Sequence, residues 1–514
     1  MPDAPSPDQA APKPDDASSA DADARYSDEV LPEDLAHPES LTPHRVRVPP
    51  EEGGLWSPAR RPLTIGLVLT ITLVAAEALA VSTAMPIVAR ELGGLELYGL
   101  VFSAFLVGSL VGIVVAGSLI DRRGVVLPFV LGLSLFTIGL VLAGVAQSME
   151  MLIAARLIQG IGGGAIPPIA YVAIGRSLPQ HLRPRMFATM STAWILPGIF
   201  GPAVAGIVAE AFDWRWIFLG LLPLIAVSGT MAYRGLRGLA DAPAGARGSS
   251  GGTRIRDGLI VGAGVALLTT GLASSDSAVM VGLGSVGLAI TLWAFLRLAP
   301  PGTMRAARGY PTAILLRGLL TFAFFTIDAY VALLLVEVRG WSAAAAGLAL
   351  TAATVSWTAG SWTQARLSAR IPHERFVRVG FPVVAVGIAG LAAVLIPEVP
   401  AWLAVPIFAI GGFGMGLTYA QFALIVLRDV PRDSQGEVTA GLTLSDALGT
   451  ALGTSVAAAF ISASVRAALG PGPGLAAAIA TGTAAAMLGW FLAPRLARRS
   501  VVRSSAAEAT SGLR

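Results

Sequence analysis

The sequence predicts an all-α protein that crosses a membrane many times. Of its 514 residues, 54% are hydrophobic and only 13% are charged, whereas soluble domains carry about 25% charged residues. Apolar segments follow one another from residue 63 to residue 494, and each approaches the ~20 residues that a membrane-spanning helix needs. Arginine is concentrated in alternate connections between these segments. Together the three patterns predict a polytopic helical membrane protein.

The apolar segments predict two sets of six helices with an inserted hairpin between them. The first set occupies 60–236, with helices at 63–89, 97–120, 125–147, 151–175, 187–209 and 216–236. A Gly/Ser/Arg linker at 237–256 leads to the hairpin at 257–298, with helices at 258–275 and 278–297. The second set occupies 311–494, with helices at 311–337, 342–366, 376–397, 401–427, 437–464 and 473–494. The total is fourteen predicted spans.

The distribution of arginine predicts the orientation of the chain. With the N-terminus in the cytoplasm, 26 arginines fall on the cytoplasmic side, and only Arg90, Arg215, Arg339 and Arg466 fall on the other. Cytoplasmic connections carry such an excess, so we expect a multi-pass protein of the plasma or inner membrane with both termini cytoplasmic. Twelve spans would fit this asymmetry equally well, but the nearly uncharged hairpin favours fourteen.

The two ends of the chain differ from the apolar part. Residues 1–56 hold 13 of the 32 acidic residues and only four basic ones, and they lack the apolar content to fold. We expect a disordered acidic tail there and a short basic tail at 495–514.

The composition excludes several classes of activity. The chain has no cysteine and four histidines, none of them in a HExxH pair, so we expect no metal centre and no thiol chemistry. It has neither a phosphate-binding loop of the GxxxxGK[ST] type nor a nucleophile elbow. We therefore expect no enzyme and no cofactor. The basic surplus is juxtamembrane arginine, which indicates no nucleic-acid partner.

The two sets of six helices resemble each other. Three glycines, an arginine and a proline of residues 160–179 recur at the same spacing in residues 412–431. Glu77 and Asp328 fall at similar depth in the first helices of the two sets. Two homologous halves indicate a transporter with a site between them, although glycine-rich helices also resemble one another by chance.

Short motifs in the first half resemble those of a known family. The segment 117–124, GSLIDRRG, matches the G-x-L-x-D-R-x-G signature of the major facilitator superfamily through Gly117, Asp121, Arg122 and Gly124. RLIQGIGGGA in the fourth helix and PGIFGPAVAG in the fifth resemble its R-x-x-Q-G and antiporter motifs. EALAVSTAMP in the first helix resembles an element of its fourteen-helix drug:proton antiporters. The chain thus resembles that family's multidrug efflux transporters over roughly residues 60–495.

The resemblance implies roles for two of these motifs. The 117–124 turn would be a latch between the halves, with the Asp121 carboxylate accepting from free N–H groups of a facing helix that begins near Gly436. The alternative is a topology anchor, in which arginine only holds the turn inside. The antiporter motif would permit close helix approach and a bend, although plain packing also explains small residues. Its members are Gly198, Gly201, Pro202 and Gly206.

Three acidic residues lie well inside predicted spans: Glu77, Asp328 and Asp446. Charges at membrane depth are costly and usually face a cavity or a partner. We expect Asp328, and after it Glu77, to carry protons. Arg156 would be the counter-charge, as the one arginine placed within a span. The alternative for Glu77 and Arg156 is a structural ion pair between the first and fourth helices.

Aromatic and amide side chains predict a central cavity for amphipathic or cationic compounds. The candidates are Gln159, Tyr171, Trp194, Tyr330, Trp357, Trp362, Tyr419 and Gln421, with Asp446 beside them. For each aromatic residue, a position facing lipid is an equal alternative.

The predicted function is that of a proton-coupled secondary transporter that exports drug-like or lipophilic small molecules by alternating access. Its partners are the small-molecule substrate, protons and membrane lipids, and we expect a monomer. Two alternatives stand beside this function. One is a proton-coupled uptake symporter on the same fold, and the other is a non-transporting membrane receptor or scaffold that recruits a partner through the acidic tail.

Overall fold

A computed structural model describes residues 54–93, 97–237, 251–273 and 276–497, and every regular element in these ranges is helical. Almost all of the predicted acidic tail, and most of the polar linker and of the basic tail, lie outside the described residues. The expectations for those segments remain predictions.

The described residues of the first half form eight helices. Their bounds are α1 Arg61–Leu92, α2 Tyr98–Arg123, α3 Val126–Gly144, α4 Met149–Ser177, α5 Arg183–Thr192, α6 Ile195–Ala211, α7 Trp216–Leu219 and α8 Leu222–Arg237. The inserted hairpin follows as α9 Gly251–Ala273 and α10 Ser277–Leu298.

The second half repeats this pattern. Its helices are α11 Tyr310–Asp328, α12 Val331–Leu333 with a π-helical turn at Leu334–Val338, α13 Ala343–Leu367, α14 His373–Val394, α15 Ala404–Asp429, α16 Gln435–Arg466 and α17 Pro471–Leu492. Short 3-10 turns at Ala401–Leu403 and Ala493–Leu496 precede α15 and follow α17. Eleven helical segments in the described ranges are long and apolar enough to cross a membrane, so the chain is a multi-pass membrane protein.

Three of the predicted helices are broken, which corrects the expectation of continuous spans. The fifth breaks between α5 and α6, because Pro197 has no N–H to donate to the Ala193 carbonyl four residues earlier. The sixth breaks between α7 and α8, where Pro223 has the same effect at the Leu219 carbonyl. The seventh breaks directly after Asp328 without a proline.

Glycines bring neighbouring helices into backbone contact, and they do so at repeat-related positions. A Cβ atom on Gly164 of α4 would lie 2.6 Å from the Ser109 Cα of α2. A Cβ atom on Gly416 of α15 would lie 2.7 Å from the Ser361 nitrogen of α13. Both distances are far below contact distance, so the recurring glycines of the two halves have a packing reason.

We expect Gly164→Ala to lower the melting temperature of the detergent-solubilised protein. The added methyl group must push α2 and α4 apart, and overpacking of this kind costs about 1–3 kcal/mol. Gly206→Ala is the matched control, because a Cβ atom there meets nothing within 4 Å. Fluorescence-detected size exclusion measures the melting temperatures of both variants. Equal values would contradict the close contact of α2 with α4.

The two halves meet at one end of the bundle, where α2 packs on α16 and α5 packs on α13. We call it the arginine-rich end, because Arg122, Arg176, Arg183 and Arg432 lie there. The Trp362 Nε1 of α13 donates to the Thr192 Oγ1 at the end of α5 over 3.0 Å. The first half therefore contacts the second directly at this level.

Candidate functional site

The predicted 117–124 latch lies at the contact between α2 and α16. The Asp121 Oδ1 accepts a hydrogen bond from the Gly436 N–H, and its Oδ2 accepts one from the Glu437 N–H. Each donor–acceptor distance is 2.7 Å. These N–H groups belong to the first turn of α16, where backbone donors have no partner inside the helix. A carboxylate at that position also interacts favourably with the helix dipole. Asp121 thus closes a helix end that belongs to the other half.

Two glycines shape this turn. A Cβ atom on Gly117 would lie 2.9 Å from the Gly436 carbonyl oxygen, so Gly117 permits the close approach of α2 to α16. Gly124 ends α2 with a φ of 73°, a conformation that side-chain-bearing residues adopt at a cost. Arg122 is exposed, and Arg176 Nη2 donates to the Arg432 carbonyl over 2.9 Å beside the latch.

A buried ion pair joins α1 to α4. Glu77 and Arg156 form a salt bridge with side-chain exposures of 0% and 3%, and Arg156 Nη1 also donates to the Gln159 Oε1 over 2.6 Å. The Arg156 guanidinium lies over the Phe105 ring, 4.3 Å from its centroid. Within the described residues, Glu77 Oε2, Arg156 Nε and Gln159 Nε2 are buried without a hydrogen-bond partner. The structure therefore brings Glu77 and Arg156 together in a cluster whose polar atoms are only partly satisfied.

A second buried charge cluster was missed by the sequence reasoning. The arginine distribution places Arg317 among the 26 arginines of the cytoplasmic connections, and Arg156 is predicted to be the one arginine within a span. Both statements are wrong, because Arg317 lies in the second turn of α11 and is fully buried. The predicted span 311–337 already contained position 317, which was the available signal.

Arg317 connects four helices from both halves. Its Nε lies 2.9 Å from the Asp446 Oδ1 of α16, and its guanidinium lies over the Tyr419 ring of α15. The Tyr419 hydroxyl donates to Asp446 Oδ2 over 2.9 Å. Arg317 Nη2 donates to the Tyr171 hydroxyl of α4 over 3.2 Å. Asp446, predicted as a cavity residue, is thus the counter-ion of Arg317 and remains 20% exposed.

Asp328 differs from the other two membrane-embedded acids. It is the last residue of α11, half-buried, where the seventh predicted helix breaks. Among the described residues, no hydrogen bond or ion pair reaches its carboxylate. With a rise of 1.5 Å per residue, it lies about 27 Å along α11 from Tyr310, and Glu77 lies about 24 Å along α1 from Arg61. The two acids therefore stand at similar depth, Glu77 with a counter-ion and Asp328 without one in the described part of the chain.

The other predicted cavity residues fall into two groups. Gln159 and Gln421 are fully buried and Tyr171 is nearly so. Gln421 Nε2 donates to the Gln364 Oε1 over 2.7 Å, so this amide bridges α15 and α13. The second group consists of aromatic side chains that are exposed or half-buried. Trp194 is 46% exposed at the break between α5 and α6.

Tyr330, two residues after Asp328, and Trp357 of α13 are half-buried. The Tyr330 hydroxyl donates to the Thr454 carbonyl over 3.0 Å. Trp357 lies edge-on to Phe324 and to Tyr419, with ring centroids 5.8 and 5.1 Å away. These rings form an aromatic cluster in the second half, in which Phe324 is buried.

The antiporter motif lies on α6, but its glycines do not mark close helix contacts in this conformation. A Cβ atom on Gly198 would lie 4.0 Å from the Thr354 side chain, and one on Gly201 would lie 3.7 Å from Leu79. Both are ordinary contact distances. The helix continues through Pro202, and the break of the fifth span lies upstream at α5 and α6. The expected close helix approach at this motif is therefore not found, and α6 is not interrupted at Pro202.

Curated relatives of this chain include several multidrug transporters. Multidrug resistance protein 3 of Bacillus subtilis is 34% identical over 166 residues, 32% of this chain and 32% of that protein. Multidrug transporter protein MdtP of the same bacterium is 32% identical over 34% of this chain and 32% of its own length. A probable multidrug-efflux transporter of Mycobacterium tuberculosis is 28% identical over 56% of this chain and 63% of its own length. The chain thus spans about a third of the length of the first two relatives.

Solved structures and the family model agree on the fold. The human organic anion transporter MFSD10 (TETRAN) matches with a TM-score of 0.62 and 16% identity, over 85% of this chain and 99% of that one. The proton:xylose symporter XylE matches with a TM-score of 0.61 and 15% identity, over 84% and 95%. At such identities the likeness shows the fold alone. The model of the Major Facilitator Superfamily matches residues 65–454. The chain therefore belongs to the Major Facilitator Superfamily, a family of transporters and not of enzymes.

Proposed function

We propose that this chain is a proton-coupled antiporter that exports drug-like or lipophilic small molecules. The observation that carries the proposal is Asp328, an acid at membrane depth without a counter-ion among the described residues. A carboxylate there is costly unless a positive partner neutralises it. A proton and a cationic substrate are the two partners that would do so, and their competition for one site couples their movements in opposite directions.

The named multidrug relatives support the direction and the substrate class. All three relatives are named for multidrug resistance or transport, and the one from Mycobacterium tuberculosis is named as a probable multidrug-efflux transporter. Exporting transporters take compounds from the cytoplasm or the inner leaflet. The half-buried rings of Tyr330 and Trp357 suit flat or cationic compounds, because aromatic faces attract cations. The Asp328 carboxylate, two residues before Tyr330, adds charge selection.

We further propose the finer architecture and orientation. The described helices pair into fourteen spans when α5 with α6, α7 with α8 and α11 with α12 are each taken as one. The domains are then a six-helix bundle at 60–236, an inserted hairpin at 257–298 and a six-helix bundle at 311–494, in a cell membrane with both tails cytoplasmic. The arginine-rich end is the cytoplasmic end on this orientation.

The latch would then hold the cytoplasmic side shut. Asp121 bonds across the halves, and alternating access requires this contact to break when that side opens. The conformation described here, with the latch formed, corresponds to access from the opposite side. Glu77 and Arg156 would act with Asp328 in proton coupling, since their cluster joins α1 and α4 at similar depth.

We expect Asp121→Ala to shift the protein toward a state that is open at the arginine-rich end. Hydrogen bonds to a charged group contribute about 1.5–3 kcal/mol, so the ratio of closed to open molecules should fall about tenfold or more. The measurement uses spin labels on cysteines introduced at Arg123 and Asp433, which are exposed on opposite halves. The chain has no native cysteine, so only these two sites are labelled.

Asp213→Asn is the control for this measurement, because Asp213 pairs with Arg215 away from the latch. Unchanged label distances in Asp121→Ala would leave the 117–124 turn as a topology anchor.

The test of the proposed function is substrate-driven proton movement in proteoliposomes. A pH gradient is imposed across the membrane, and an enclosed pH-sensitive dye reports proton movement. Ethidium, tetraphenylphosphonium and neutral antibiotics serve as substrate probes. Each proton carries about 2.3 kcal/mol per 100 mV and about 1.4 kcal/mol per pH unit. Proton efflux with probe uptake, in opposite directions, supports antiport.

The same assay separates the alternatives. Protons and probe moving in the same direction would favour the uptake symporter. A receptor or scaffold predicts no flux, indifference to Glu77→Gln and Asp328→Asn, and loss of function on deletion of residues 1–56.

A further inference from the structure

The inserted hairpin contacts both halves beside the latch. Its helix α9 packs on α2 of the first half and on α16 of the second. Two glycines one turn apart bring α9 close to α2. A Cβ atom on Gly258 would lie 3.2 Å from the Val114 Cβ, and one on Gly262 would lie 2.9 Å from the Val107 Cγ1. The hairpin is therefore seated on the first half and reaches over the seam to the second.

One ion pair connects the hairpin directly to the latch. Arg254, in the first turn of α9, forms a salt bridge with Glu437 in the first turn of α16. Glu437 is also the residue whose N–H donates to Asp121 Oδ2 over 2.7 Å. Two different parts of the chain, α2 and α9, thus hold the same residue of the second half, one by its backbone and one by its side chain.

A second cluster fixes the hairpin at the same level. Asp257, whose side chain is only 7% exposed, pairs with Arg297 of α10 and with its neighbour Arg256, each at an N–O distance of 3.2 Å. This cluster closes the base of the hairpin on itself. Arg254 points instead to α16. The two neighbouring arginines of α9, Arg254 and Arg256, therefore have different partners.

We propose that the inserted hairpin is a third component of the latch, and that Arg254 is its positioning residue. Arg254 holds the Glu437 side chain against α9 while Asp121 caps the same turn of α16. When α16 moves away from α2, α9 remains seated on α2 through Gly258 and Gly262, so the Arg254–Glu437 pair breaks together with the cap. The pair therefore stabilises the closed arginine-rich end and has no counterpart in the open state.

The inference rests on the latch proposed above, and its test reads conformation rather than transport. The full-length protein with spin labels at positions 123 and 433 is compared with Arg254→Gln, Glu437→Gln and both together. The pair is partly exposed, with side-chain exposures of 26% and 41%, and pairs of this kind shift an equilibrium by about two- to fivefold. We expect each single variant to lower the closed-to-open ratio by that factor, and the double variant to lower it no further.

Arg256→Gln is the matched control, with the same change of charge on the same helix but a partner within the hairpin. It should leave the label distances unchanged, and melting temperatures of all variants show whether they remain folded. An Arg254→Gln distance distribution equal to that of the parent, or one matched by Arg256→Gln, would overturn the role of the hairpin.

Asp121→Ala in the same background separates the two failures. If Asp121→Ala opens the arginine-rich end and Arg254→Gln does not, the latch stands and the hairpin has no part in it. If neither variant changes the distances, the latch fails as well. Additive effects in the double variant Arg254→Gln with Glu437→Gln would contradict a direct pair.

Discussion

We expect Asp328→Asn to abolish substrate-driven proton movement to the level of protein-free liposomes. Asn resembles a permanently protonated carboxyl group, so it leaves no site from which a proton could be released. The helix break after Asp328 and the half-buried position of its side chain make this acid accessible to a partner, and no described group supplies one. Removing the charge therefore removes the competition on which antiport depends.

Substrate exchange distinguishes this loss of coupling from a loss of folding. An Asn side chain still permits the loaded carrier to change conformation, so exchange of a labelled neutral antibiotic, which needs no carboxylate to bind, should persist across the membrane at zero gradient in Asp328→Asn. Glu337→Gln is the matched control, since Glu337 is an exposed acid of the π-helical turn that follows Asp328. Proton movement that survives in Asp328→Asn would assign coupling to another group, and Glu77 would be the next candidate.

Much of the fold could be predicted because apolar length and arginine position depend on local sequence. Helix occupies most of every predicted span in the described residues, and α16 begins at Gln435, next to the position predicted for the helix facing Asp121. The internal repeat also has a physical basis in the glycine contacts of α2 with α4 and of α13 with α15. Family membership followed from motifs in which few residue types fit.

The buried charge pairs were harder to predict because their partners are distant in sequence. Arg317 and Asp446 are 129 residues apart, and no spacing rule connects them. Counting arginine as a marker of connections also concealed Arg317, because that rule assumes that an arginine lies at the end of a span. The breaks of the fifth and sixth spans, in contrast, follow from Pro197 and Pro223 and were predictable in principle.

The Glu77–Arg156 pair should be the most sensitive point for stability. Each single neutralisation, Glu77→Gln or Arg156→Met, leaves one charge buried without its counter-ion, and breaking a buried pair costs about 3–5 kcal/mol. We expect both variants to melt far below the parent protein in detergent. The double variant removes both charges and should recover most of the loss, because two neutral side chains are less costly to bury than one unpaired charge.

Coupling in the double variant then decides what the pair does. A purely structural pair would leave proton movement intact once stability is restored. Three buried polar atoms of this cluster lack partners in the described part of the chain, and buried polar groups in a structural network are normally satisfied. The partly satisfied atoms of the parent cluster indicate that it rearranges during transport. We therefore expect the double variant to be stable and to have lost substrate-driven proton movement. Recovery of both stability and proton movement would reduce Glu77 and Arg156 to a link between α1 and α4, with Asp328 as the remaining proton carrier.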